Sequence, residues 1–210
     1  LYAQGLKQPE ELDGSHHLQA PFLFVFGDYM TRAICDRKTW ILRQAGCAVL
    51  QCVVDDETGF LRKHITQKKI LPLDFFQIAS KVVITLCADH VAAVFKQCVD
   101  TTISLFSILW TEEDEQRQMT MPVVDAFLKR MTGKHKIVRD HAAEAVLFFA
   151  SCEYVGPVLM VHKLARLMRC SSARSGAPQW LHVLKSVHVI LDHFGTRRDP
   201  VLPPTQQALS

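Results

Sequence analysis

The chain contains no asparagine, so the Asn-Gly turns that most readily join two β-strands are absent. Runs that alternate apolar and polar residues between turn dipeptides are missing too, and no strand is expected. Glycine and proline are scarce, nine of each in 210 residues, which excludes a collagen-like or low-complexity chain. No apolar run approaches the roughly 20 residues that span a bilayer, and no signal peptide is visible. A formal charge of +3 is too small to imply nucleic acid or a membrane by itself. None of the seven cysteines stands in a Cys-x-x-Cys pair. Most lie in apolar runs such as Cys47-Ala48-Val49-Leu50 and Leu86-Cys87-Ala88, where a free thiol acts as a small hydrophobe, as in a reducing cytosol.

What is present is hydrophobic residue, 49% of the chain, arranged at helical spacing. Leu23, Phe26, Met30 and Ala33 form a first stripe, and Leu42, Ala45, Val49 and Val53 a second that stops at Asp55-Asp56-Glu57. A short helix is expected over 60–70, closed by Leu71-Pro72. Phe75, Ile78, Val82 and Leu86 make the next stripe, and after Asp89-His90 it is answered by Val91, Val94, Cys98, Thr102, Leu105 and Leu109. The segment 111–118, TEEDEQRQ, reads as a break, with Thr120 and Pro122 starting the helix of Val124, Phe127, Leu128 and Met131. Beyond Thr132–Lys136 come Val138, Ala142, Ala145 and Phe149; Pro157 then opens a helix through Val161, Leu164 and Met168. A loop over Ser171–Pro178 leads to Leu181, Leu184, Val187, Leu191 and Phe194. Residues 1–20 read as a linker or frayed end and 196–210 as a proline-rich tail, leaving 21–195 as the folded domain. A polar start without methionine is expected of a piece of a longer chain.

These are helix pairs. The turns within pairs fall near Lys38, Asp89, His135 and Arg174, spaced as in HEAT-type two-helix repeats of about 40–50 residues. The expected fold is an all-α solenoid of about four such pairs, stabilised by burial between neighbours. Trp40-Ile41-Leu42-Arg43 and Lys136-Ile137-Val138-Arg139 begin their helices alike, and small residues follow both, Gly46-Cys47 and Ala142-Ala143.

In such a stack the within-pair turns share one edge. That edge collects Arg37, Lys38, Arg43, Lys129, Arg130, Lys134, Lys136, Arg139, Arg169 and Arg174 against Asp36, Asp89 and Asp140. The opposite edge carries Asp55, Asp56, Glu57, Glu112–Glu115 and Glu153. A basic edge suits an acidic partner. Polar turns are also ordinary solvation, and the basic segment Arg62–Lys69 falls nearer the acidic edge. Trp40 by itself fits either a packing residue for the adjacent pair or an interface anchor.

Arg37-Lys38-Thr39-Trp40, followed by Arg43, resembles the first within-repeat turn of TOG domains, which are HEAT-type tubulin-binding modules. Phe26-Gly27, the Phe75–Leu109 helix pair, and Thr132-Gly133 leading to Val138-Arg139 follow in the family's order, over roughly residues 22–195. Among TOG domains the chain is most similar to that of a ciliary-tip centrosomal protein. The resemblance implies a non-catalytic, cofactor-free, monomeric module of a larger cytoplasmic protein of the cytoskeleton, cilium or flagellum tip, or centriole. Its partner would be αβ-tubulin, with neither nucleic acid nor membrane. Arg37, Lys38 and Trp40 would make contact from the first turn, His90 from the second, Lys134, His135 and Lys136 from the third, and Arg174 from the fourth. The second turn, Asp89-His90, departs from a strongly basic pattern, and the pairs are fewer than in many TOG domains.

Other chemistries have weaker signals. His182, His188 and His193 are spaced by six and five, off one helical face, and neither His135 nor His141 stands in a His-Glu-x-x-His setting. Thr132-Gly133-Lys134 lacks the upstream glycine and following hydroxyl of a phosphate loop. A Cys–His nucleophile lacks a glycine frame but stays open, as does a scaffold for another acidic protein. A HEAT-like DNA glycosylase would need a carboxylate such as Asp89 or Asp140 beside a base pocket, on a chain of low charge.

Overall fold

A computed structural model describes residues 19–55, 70–171 and 177–195, with Lys63 and Gln67 besides. The short helix expected over 60–70, the 171–178 loop, Arg174 and both terminal segments therefore lie wholly or largely outside the described residues. Eight helices are described: α1 (Gln19–Cys35), α2 (Trp40–Asp55), α3 (Pro72–Cys87), α4 (Ala92–Phe106), α5 (Glu113–Met131), α6 (Lys136–Ser151), α7 (Pro157–Ser171) and α8 (Ala177–Gly195). They form an all-α solenoid of four HEAT-type pairs, α1/α2, α3/α4, α5/α6 and α7/α8. The second helices stack in succession, α2 on α4, α4 on α6 and α6 on α8, while α1 packs on α3 and α3 on α5.

Phenylalanine carries the continuity between pairs. Phe22, Phe75, Phe76, Phe95, Phe106, Phe127 and Phe149 are fully buried. Their rings, with Phe26 and Trp110, run from the first pair to the third, every centroid step being 4.5–6.3 Å. Each such burial is worth roughly 1.5–3 kcal/mol. Gly46 permits a close approach in the first pair: a Cβ there would lie 2.7 Å from Cγ1 of Ile34.

Several stripes sit differently from their sequence expectation. In α1 the left-handed Gly27 (φ 79°, ψ 172°) breaks the helix into two arms, so burial falls on Phe22 and Val25 before it and on Met30, Ala33 and Ile34 after. The buried face of α2 is Leu42, Gly46, Cys47, Leu50 and Val54, one position on from the expected Ala45, Val49 and Val53. α4 ends at Phe106, leaving Leu109 exposed in the following loop. The acidic run does not break the chain; Glu113, Asp114 and Glu115 form the first turn of α5, where carboxylates favour the positive end of the helix dipole. Thr120 and Pro122 therefore lie inside the helix, Thr120 donating its hydroxyl to the carbonyl of Gln116. Gln116, expected in a loop, is fully buried: it donates to the Ile108 carbonyl and accepts from the Trp110 N–H. Finally, α8 buries Val183, Ser186 and Ile190, while Leu181, Leu184 and Leu191 are exposed. Among the described residues its main neighbours are α6, α7 and α5.

Candidate partner-binding edge

The first three within-pair turns are joined to one another by arginines. Asp36 is buried at the end of α1, and its Oδ1 accepts from the backbone N–H groups of Lys38 (2.9 Å) and Thr39 (2.6 Å), fixing the turn before Trp40. Arg43 lies one turn into α2. Its Nη1 donates to the Asp36 carbonyl at 2.9 Å, and its Nε donates to Oδ2 of Asp89 in the second turn at 2.6 Å. Asp89 in turn accepts from the Val91 N–H at 2.9 Å. Arg130, near the third turn, donates to the Asp89 carbonyl at 2.7 Å and lies over the Phe95 ring. Arg139 folds back on its own turn, donating to the carbonyls of Gly133 (2.9 Å) and Lys134 (2.8 Å). Arg43 and Arg139 thus each brace a carbonyl of their own turn, in keeping with the parallel helix starts, and Arg43 also reaches the second turn. Beyond them His182 on α8 stands 3.4 Å from Asp140 on α6.

The Arg43 and Asp89 side chains are only 11% and 6% exposed. Burial works against the charged form of Asp89, but the Arg43 and Val91 hydrogen bonds and the Arg43 charge outweigh it and hold the carboxyl below its ordinary value. Three of the cations assigned to the basic edge, Arg43, Arg130 and Arg139, are therefore part of the scaffold. Arg37, Lys38, Lys134, His135 and Lys136 remain at the surface, and His90 projects with 88% of its side chain exposed.

Trp40 opens α2 with 40% of its surface exposed, so it is neither core nor a stranded ring. The exposed apolar side chains beside these cations were missed in the sequence. Ile41 is 46% exposed next to Trp40, and Ile137 is 60% exposed next to Lys136. Equivalent places in two repeats thus present the same pattern: a buried residue (Leu42, Val138), an inward arginine and an exposed isoleucine. The signal was available, because Ile41 and Ile137 each stand one position off the buried stripe.

The other chemistries find less support in the geometry. Among the described residues no three of His, Cys, Asp and Glu are grouped so as to hold a metal ion. Burial pushes the Cys47 and Cys87 thiols up to about 12 and Cys98 well above its ordinary value, opposite to what a nucleophile needs. Asp89 is committed to Arg43, and Asp140 stands beside His182. No described helix is long and apolar enough to cross a membrane.

This architecture places the chain among paired-helix solenoids of the HEAT type. Solved structures make the likeness more particular: the chain shares its fold with the TOG domain of human Cep104, at a TM-score of 0.69 and 16% identity, over 90% of this chain and 72% of that one. A second structure of the Cep104 TOG domain matches with a TM-score of 0.66 and 15% identity, over 89% and 72%. No protein-family model matches the chain, and no curated protein matches its sequence.

Proposed function

We propose that this chain is a non-catalytic αβ-tubulin-binding module of a microtubule-associated protein acting on the cytoskeleton at a cilium or centriole. One observation carries the reading: the Trp40-Ile41 tip and the Lys134–Ile137 tip lie on one edge, tied together through Arg43, Asp89 and Arg130. The TOG fold and the Lys38-Thr39-Trp40 turn support the choice of partner. Each tip pairs apolar area with lysine, a combination suited to an acidic protein surface. Trp40 and Ile41 supply contact area, while Arg37, Lys38, Lys134 and Lys136 pair with carboxylates. His90 of the second turn and His135 within the third add to the same edge.

The test is co-elution with tubulin at low and moderate salt. Wild type is expected to form a complex that weakens with salt, because exposed charges are screened beyond roughly 8–10 Å. Trp40→Ala removes an anchor of the hot-spot kind, about 2 kcal/mol or some thirtyfold in affinity. Lys134→Glu/Lys136→Glu is expected to abolish the complex by charge reversal. The reading fails if wild type forms no complex, or if both variants bind tubulin as wild type does.

A further inference from the structure

α7 carries no carboxylate over Pro157–Ser171, and His162, Arg166 and Arg169 recur at i, i+4 and i+7 on one exposed face. Between α7 and α5 runs an open groove of about 490 Å³. Leu128 of α5 and Leu159 and Leu167 of α7 form its apolar floor. Its rim is Lys129 on one side and His162 and Arg166 on the other. The groove's single carboxylate, Asp125, is taken up by Lys163 at 2.6 Å, which also ties the two helices together across it. Lys129, His162 and Arg166 are exposed and have no ion-pair partner among the described residues.

We propose that the α5–α7 groove is a second binding site, for an acidic amphipathic helix from a partner protein. The distance from Leu159 to Leu167 is about 12 Å at 1.5 Å per residue, a little over two turns of an incoming helix. Apolar side chains at i and i+4 of that helix meet the leucine floor, and carboxylates flanking them meet Lys129, His162 and Arg166. Charge selects the occupant. A helix with lysines at the flanks would face Lys129 and Arg166, whereas a carboxylate-bearing one neutralises them. A nucleic-acid backbone is a poorer fit, since the floor is hydrocarbon and a phosphate-tracking surface makes roughly six to ten backbone contacts. Of the groove's residues only Lys129 was assigned to the within-pair edge, and none belongs to the Trp40 or Lys134 tips.

The probe is a fluorescein-labelled helical peptide of about four turns, with leucines at i, i+4 and i+7 and glutamates between them, followed by fluorescence anisotropy. Saturable binding that weakens with salt is expected. Lys129→Glu/Arg166→Glu, two exposed substitutions, is expected to weaken it at least tenfold while leaving the helical circular dichroism unchanged. Trp40→Ala is expected to bind the peptide as wild type does, which separates this site from the tubulin-binding edge. Absence of saturable binding overturns the proposal. So does equal binding of the same peptide with serine in place of leucine, which would reduce the site to bare charge. Equal affinity for a short DNA duplex overturns it in favour of phosphate binding, and an unaffected charge-reversed variant removes the groove from consideration.

Discussion

Replacing Asp89 with alanine removes the carboxylate that two turns share. Arg43 would then keep only its bond to the Asp36 carbonyl, on a side chain 11% exposed. Breaking a buried pair by deleting one partner costs about 3–5 kcal/mol, because the remaining charge is left uncompensated. The Val91 N–H also loses its acceptor at the start of α4, worth about 1 kcal/mol. Against this, Arg43 lies close enough to the surface for water to relieve part of the loss, so a net cost of about 3–4 kcal/mol is expected. For a domain of this size each kcal/mol moves the melting temperature by roughly 2–4 °C, giving a fall of about 10 °C. Thermal unfolding by circular dichroism and urea titration both measure it. Arg43→Met/Asp89→Leu, which removes both charges and keeps apolar volume, is expected to recover most of the stability. A cost below about 1 kcal/mol for Asp89→Ala, or a double variant no better than the single one, would refute the reasoning.

The same carboxyl predicts a pH dependence. Its folded value lies below the roughly 3.9 of an unfolded aspartate, so its stabilisation is present above about pH 4 and is lost as pH falls through the folded value. The stability gap between wild type and Asp89→Asn, followed by urea titration from about pH 6 downward, should therefore narrow in acid. Gly46→Val is expected to destabilise by about 1–3 kcal/mol through collision with Ile34, measured by chemical denaturation. Iodoacetamide followed by mass spectrometry should label the exposed Cys52 in the native protein, while Cys47, Cys87 and Cys98 react only once the chain unfolds.

Fold class and pair boundaries were legible because most helices bury a stripe of ordinary spacing; Val138, Ala142, Ala145 and Phe149 are all buried as the period requires. The misplacements have physical causes. α8 carries a broad apolar arc that holds Val183, Leu184, Val187, Ile190 and Leu191 together, so periodicity does not select Val183 and Ile190 over Leu184 and Leu191. Glu113–Glu115 look like a solvated loop to a hydropathy argument, yet at a helix start their charge is an asset. The candidate edge was legible in its charge but not in its division of labour. Nothing in residue type separates Arg43, Arg130 and Arg139, which reach neighbouring carbonyls and carboxylates, from Arg37, which stays at the surface. For Arg130 and Arg43 that distinction depends on contacts 41 and 46 residues apart in sequence.

The arginine bonds between turns have a consequence for how such an edge changes over time. The spacing from the Trp40 tip to the Lys134 tip is set by Arg43, Asp89 and Arg130, groups withdrawn from the surface behind the exposed tip side chains. Side chains at the tips are therefore free to drift from one partner surface to another while the interval between them is inherited unchanged. The domain works like a comb whose pitch is cast in its spine and whose teeth can be filed one at a time.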